Sequence, residues 1–131
     1  MKNIIVVTGG AGFIGSNLIN RLVTLKNFKI ISIDDYSSRI YQKNKKMNDC
    51  INSNTIGSNE VFNFCLLNKI KLIYSATSAS IGNNGNDKNL SPYAFTKAKN
   101  LEMLENLKKW FKFKFEIIYF YNVYGPKQIK K

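Results

Sequence analysis

Histidine is absent from this 131-residue chain, so any proton transfer it performs must run through tyrosine, lysine, a carboxyl group or water. Cysteine is nearly as scarce. Cys50 and Cys65 alone offer neither a disulfide framework nor a zinc-ligand spacing, so no metal site is expected and a reducing cytoplasm is the simplest compartment. Long apolar runs are missing too: none approaches the roughly 20 residues that span a bilayer, which predicts no membrane-spanning helix and no membrane partner. No signal peptide is expected, because Lys2 is followed by a short apolar run that breaks at once into glycines. Acids are few, 8 against 20 Lys and Arg, for a net charge of +12. Such a balance raises the question of nucleic acid. Yet arginine, the residue that grips phosphates and bases bidentately, occurs only as Arg21 and Arg39. The lysines are spread along a chain also crowded with Asn and Ile, and a general compositional bias explains them more simply than a nucleic-acid surface.

What is present describes a globular domain. Apolar residues make up 44% of the chain, and 131 residues suffice for one domain with a real core, residues 1–131. "NIIVVT" (3–8) reads as a strand buried on both faces. A helix is expected from Gly12 to about Lys26, a second strand over "FKIISIDD" (28–35), and a helix over 55–68. Residues 36–54 are polar and aperiodic and are expected to be an irregular loop. "IKLIYSAT" (70–77) is a third strand, followed by an Asn- and Gly-rich loop at 81–89. The clearest helix is 91–112, with Pro92 near its start and an apolar face through Ala94, Ala98, Leu101, Leu104, Leu107 and Phe111. "KFEIIYFY" (114–121) is a fourth strand and 122–128 a turn. The alternation of strand and helix predicts an α/β fold: a Rossmann-like parallel sheet with flanking helices, reduced to about four strands in the order 2-1-3-4.

Chemistry enters at the end of the first strand. "GGAGFIGSN" (9–17) sets Gly9, Gly12 and Gly15 where a buried strand gives way to a helix. Such a turn lets backbone approach a pyrophosphate, while the helix N-terminus offers N–H groups and partial positive charge. Asp34 ends the next strand, 19 residues beyond Gly15, where an acid can accept hydrogen bonds from ribose hydroxyls and repel a 2′-phosphate. That combination points to NAD in preference to NADP. Tyr93 and Lys97 lie at i and i+4, on one helix face, so the ammonium is expected beneath the Tyr93 hydroxyl. A free tyrosine has a pKa near 10, and a neighbouring cation lowers it toward use as a base. Thr77, at the C-terminal end of the third strand, can donate its hydroxyl to a substrate oxygen.

Four segments in this order, "VTGGAGFIGSNL", "IYSATSASIG", "SPYAFTKAKNLE" and "YNVYGP", resemble the extended short-chain dehydrogenase/reductases, in particular their nucleotide-sugar epimerases and dehydratases. The resemblance implies NAD as cofactor, a nucleotide-sugar substrate, and hydride transfer between NAD and a sugar carbon with Tyr93 as base. By position it implies that Gly9, Gly12, Phe13, Ile14, Gly15, Asp34, Asn54, Tyr93 and Lys97 contact the cofactor, with Asn54 at its nicotinamide end. Thr77, Tyr93 and Lys97 match the catalytic Ser/Thr, Tyr and Lys; Thr77 and Asn122 would meet the substrate. It allows a homodimer.

The chain also departs from the family pattern. Strand and helix normally found between the acid-bearing strand and the "N-V-x-G-T" segment, matched here by "NTIGS", are reduced to the polar stretch before Asn54. The interval from Thr77 to Tyr93 is short, and the sequence stops six residues after Gly125, so the substrate-binding domain is expected to be absent. Fold and cofactor class transfer from the resemblance, whereas turnover by the shortened chain is not expected. Two rival readings follow: a non-catalytic nucleotide-binding remnant or truncated fragment, and a basic RNA-binding protein.

Overall fold

In the computed structural model, the described residues are 3–36, 47–81, 91–126 and 128. They form two compact units, one drawn from residues 1–43 and 123–131, the other from 44–122.

In the first unit β1 (Asn3–Thr8) runs parallel to β2 (Phe28–Ile33), in register from Asn3 opposite Phe28 to Thr8 opposite Ile33. Between them lies α1 (Phe13–Thr24), which packs on both strands. The helix stops because Lys26 turns into the left-handed region at φ 56°, with the Leu25 and Lys26 N–H groups closing on the carbonyls of Leu22 and Val23. The expectation of a strand buried on both faces fails for β1. Val7 is buried, but Ile4 and Val6 are 60% and 50% exposed. Burial of both faces requires cover on both, and the strand's alternation turns successive residues to opposite sides.

The second unit begins with helix. α2 (Met47–Cys50) runs into a π-helical segment (Ile51–Ile56) and then α3 (Gly57–Leu67). This corrects the expected irregular stretch at 36–54: residues 37–46 lie outside the described set, but 47–54 are helical. Their inner face is carried by Cys50, 1% exposed, and Asn54, four residues on, which hydrogen-bonds to the last long helix. A polar inward residue leaves no apolar period to detect. β3 (Leu72–Thr77), the short α4 (Ser78–Ile81), α5 (Pro92–Phe111) and β4 (Phe115–Phe120) complete the unit. Most of the glycine-rich loop expected at 81–89 falls outside the described residues. β3 and β4 are parallel, Leu72 opposite Phe115 and Thr77 opposite Phe120.

α5 is well specified at its ends. The Ser91 side chain accepts from the Ala94 N–H at 3.1 Å, Pro92 occupies the first turn, and Lys112 closes the helix in the left-handed conformation. Its buried side includes Ala94 and Leu104 as expected, but also Thr96 and Asn100, whereas Phe111 is 59% exposed. Phe62, Cys65, Tyr74, Ala76, Leu104 and Phe113 form the core, with Phe62 edge-on to Tyr74 at 5.5 Å.

The 2-1 and 3-4 steps of the expected strand order are present; the 1-3 step is not. Among the described residues β1 pairs with β2 alone and β3 with β4 alone, giving two parallel two-stranded sheets. The described chain between β2 and β3 is helical from Met47 to Leu67 and supplies no strand to continue either ladder. No helix among the described residues is long and apolar enough to cross a membrane, and they hold no cluster of metal-ligating side chains.

Candidate cofactor and catalytic residues

The glycine segment forms a tight turn at the C-terminal end of β1. Gly9 takes φ +71°, a conformation other residues rarely adopt, and a Cβ built there would meet nothing within 4 Å. The backbone at this point is open to approach. Gly15 is the opposite case: a Cβ would collide with the Gly9 carbonyl oxygen and lie 2.8 Å from the Gly10 Cα, so helix and turn touch backbone to backbone. The Gly9 N–H donates to the Ile33 carbonyl at 2.8 Å, and the Gly12 N–H donates to the Gly9 carbonyl at 3.1 Å. Gly12 then caps α1 with no side chain, and the first turn of the helix carries no acid. The N–H groups of that turn, with Phe13 half-buried and Ile14 40% exposed, therefore form an uncapped positive helix end.

Asp34 comes to this turn from the end of β2. Its carboxylate accepts from the Ala11 N–H at 2.8 Å and from the Tyr36 N–H at 2.7 Å. The acid thus braces the glycine turn, a structural role that sequence spacing does not reveal. A carboxylate offers about four lone-pair sites, so capacity remains for ribose hydroxyls. Spacing does not reveal Asn17 either: its amide donates to the Phe13 carbonyl at 2.8 Å and to the Pro126 carbonyl at 3.3 Å, tying α1 to the "YGP" turn. A turn of open backbone, an uncapped helix and an adjacent carboxylate together fit the adenosine diphosphate half of a dinucleotide.

In the second unit Thr77 is the last residue of β3, half-buried, its carbonyl accepting from the Ser80 hydroxyl at 2.6 Å. Tyr93 stands in the first turn of α5, 42% exposed. Lys97 is one turn further on, but no hydrogen bond joins it to the Tyr93 hydroxyl, contrary to expectation. Its ammonium donates to the Ser75 carbonyl at 2.8 Å and lies 4.6 Å from the centre of the Tyr74 ring. Burial lowers the Lys97 pKa from 10.5 to about 8. Tyr74 is pushed up from 10, first by burial; the hydrogen bond from Asn100 opposes this and the nearby Tyr93 adds to it.

Asn54 is brought to the same helix. Its amide donates to the Thr96 hydroxyl at 3.0 Å, and its carbonyl accepts from the Asn100 amide, which also donates to the Tyr74 hydroxyl at 3.0 Å. Thr96 in turn donates to the Pro92 and Tyr93 carbonyls at 2.9 and 3.0 Å. Tyr74, Thr96 and Asn100 carry no signal in a single sequence, since polar residues on an apolar helix face read as breaks in the pattern. Asn122 is exposed in the bend after β4.

Residues 37–131 match the model of the NAD dependent epimerase/dehydratase family, and residues 6–47 match that of the 3-beta hydroxysteroid dehydrogenase/isomerase family. Among solved structures, the fold is similar to UDP-N-acetylglucosamine 4-epimerase from Methanobrevibacter ruminantium M1 in complex with UDP-N-acetylmuramic acid. That match has TM-score 0.76 at 24% identity and covers 98% of this chain and 57% of the epimerase. UDP-glucuronic acid 4-epimerase from Bacillus cereus, in complex with NAD, gives 0.75 at 21% identity, over 95% and 58%. The Thermus thermophilus UDP-glucose 4-epimerase, also complexed with NAD, gives 0.74 at 18% identity, over 96% and 57%. At these identities the likeness establishes a shared fold, and the chain spans a little over half the length of these enzymes. NAD is the cofactor of the matched family. With 95 of its 131 residues covered by that family's model, the chain belongs to the NAD dependent epimerase/dehydratase family.

Proposed function

We propose that this chain is the NAD-binding portion of a nucleotide-sugar epimerase or dehydratase. The observation that carries the reading is the β1 turn, where Gly9 is open, Gly15 admits no side chain and the Asp34 carboxylate is hydrogen-bonded to Ala11. Gly9, Gly12, Phe13, Ile14 and Gly15 would hold the pyrophosphate side of NAD, and Asp34 its adenosine ribose. Asn54, Tyr93 and Lys97 would serve the nicotinamide end. NAD, when bound, accepts hydride from a sugar carbon and returns it.

The chain's own residues supply the proton chemistry. Thr77 donates a hydrogen bond to the reacting sugar oxygen, and Tyr93 takes the proton of that hydroxyl. Lys97, largely protonated at neutral pH with a pKa of about 8, supplies a positive charge one helical turn beyond Tyr93. Asn122 would contact the diphosphate of the substrate, a UDP-sugar by likeness to the structures above. Turnover demands that Thr77, Tyr93 and the cofactor converge on one carbon, where a misplacement of about 1 Å can cost on the order of a hundredfold. The chain spans 57% of the first of these enzymes, and NAD binding is the property proposed for it.

Calorimetric titration with NAD and NADP, followed by addition of UDP-sugars with absorbance read for NADH, tests this. NAD should bind more tightly than NADP, and Asp34→Ala should weaken NAD and narrow the difference. Equal affinities in the unaltered chain would overturn the assignment of Asp34. Sustained epimerisation that Tyr93→Phe abolishes would overturn the expectation about turnover.

A further inference from the structure

We infer that Tyr74, outside the residues assigned to cofactor or substrate, is a positioning residue for Lys97, holding its ammonium against the end of β3 by the face of the phenol ring. The inference rests on Lys97 belonging to the proposed cofactor-binding set.

The geometry is specific. A cation within about 6 Å of a ring centre is attracted by the negative face of the π-system, more strongly where water is partly excluded. Lys97 Nζ is 4.6 Å from the Tyr74 centroid, and Tyr74 is 7% exposed. The same ammonium donates to the carbonyl of Ser75, the next residue along the strand and two before Thr77. Ring face and carbonyl therefore fix the ammonium at a defined point on β3.

The ring itself is held in two further ways. Its hydroxyl accepts from the Asn100 amide at 3.0 Å, and Phe62 packs on it at 78° with 5.5 Å between centres. Asn100 is 3% exposed and also donates to the Asn54 carbonyl, so the orientation of the ring is coupled to the π-helical segment. A phenol clamped at its hydroxyl and packed against a second ring presents one face to Lys97 and cannot turn away. Tyr74 does not need to touch the cofactor: it acts on it through Lys97.

The test combines NAD titration with nuclear magnetic resonance of the Lys97 side chain, its signals assigned by their loss in Lys97→Met. Tyr74→Leu and Lys97→Met should each weaken NAD by roughly three- to thirtyfold, the range of one partly buried cation–ring contact. The double variant should be no weaker than either single one. Tyr74→Phe keeps the ring face and should restore the affinity. In the unliganded protein the Lys97 ε-methylene protons should be displaced upfield by the ring and show a nuclear Overhauser effect to the Tyr74 ring protons. Tyr74→Phe should retain the displacement. Additive losses in the double variant, or Lys97 ε resonances coinciding with those of exposed lysines, overturn the inference. The resonance arm needs neither a folded Tyr74→Leu variant nor NAD, so the two readings separate. NAD binding without the Lys97 signature removes the role of Tyr74 and leaves the proposed function. The signature without NAD binding removes the proposed function and, with it, the positioning role.

Discussion

Replacing Lys97 by methionine should remove a rising contribution to folding stability on the alkaline side of neutrality. The ammonium is lowered from 10.5 to about 8 by burial, which penalises its charge. Below pH 8 the group is protonated in the folded and unfolded chain alike, and the folded chain bears the full desolvation cost. Between pH 8 and 10.5 the unfolded chain binds more protons there than the folded one, so stability rises with pH. At about 1.4 kcal/mol per pH unit, the two values set a ceiling of about 3 kcal/mol on the cost at pH 7. About 2 kcal/mol of that is recovered by pH 9.5. Lys97 is only half-buried, and solvent screening reduces the recovery to about 1 kcal/mol. Tyr74 acts in the opposite sense higher up. Its phenol is raised above 10, and burial likewise raises the Cys65 thiol above 9, so both contributions are lost as pH climbs through the raised values, and the Lys97 effect is read as the difference between the two proteins over pH 7–9.5. Methionine keeps an apolar contact with the ring and removes the charge. Urea unfolding at constant ionic strength at pH 7.0, 8.5 and 9.5 is the assay. Relative to Lys97→Met, the unaltered chain should gain about 1 kcal/mol across that range, and Lys97→Met should be the more stable of the two at pH 7. The same slope in both proteins, or a steeper rise in Lys97→Met, would refute the reasoning.

Two further perturbations probe the elements that carry the site. Gly15→Ala would normally favour a helix by up to about 1 kcal/mol. Here the new methyl meets the Gly9 carbonyl and the Gly10 Cα, so thermal unfolding should show a loss of about 2 kcal/mol or more, along with lost NAD binding; a raised melting temperature would show that the turn is not packed as described. Ser91→Ala removes the side-chain cap on the Ala94 N–H and should cost about 1 kcal/mol, read from circular dichroism melts. Ser91→Asp should recover that loss, and an unchanged melt of the alanine variant would count against the cap.

The elements most legible in the sequence are those whose formation is local. β1 matches its expected bounds at Asn3–Thr8, α1 and α5 differ from expectation by one or two residues at each end, and β3 and β4 lie inside their expected ranges. Apolar period, the Ser91–Pro92 start and the glycine turn are each written within a few residues. The helix over 47–54 is not legible in the sequence, because its inward residues are Cys50 and the amide Asn54, and the partner that makes an inward amide favourable is the Thr96 hydroxyl, 42 positions away. The ion pairs Lys99–Glu102 within α5 and Lys71–Glu116 beside the paired strands are not legible either. Exposed ion pairs are worth about 0–1 kcal/mol, too little for spacing alone to choose among them.

For the site, the sequence by itself determined which residues have the chemistry: glycines that permit the β1 turn, an acid at the end of β2, and a threonine, tyrosine and lysine around β3 and the start of α5. Each of these depends on residue type at a fixed local offset. Only the tertiary structure decided what those groups touch. It bound the Asp34 carboxylate to the Ala11 N–H across 23 positions, and drew the Lys97 ammonium to the Ser75 carbonyl and the Tyr74 ring instead of the Tyr93 hydroxyl four residues away. It also joined Asn54 to α5 through Thr96 and Asn100. A shared helix face brings two side chains within reach but does not fix their rotamers. A half-buried ammonium goes to the carbonyl and ring face that best replace its lost water, and those partners are supplied by a strand more than twenty residues away in the chain.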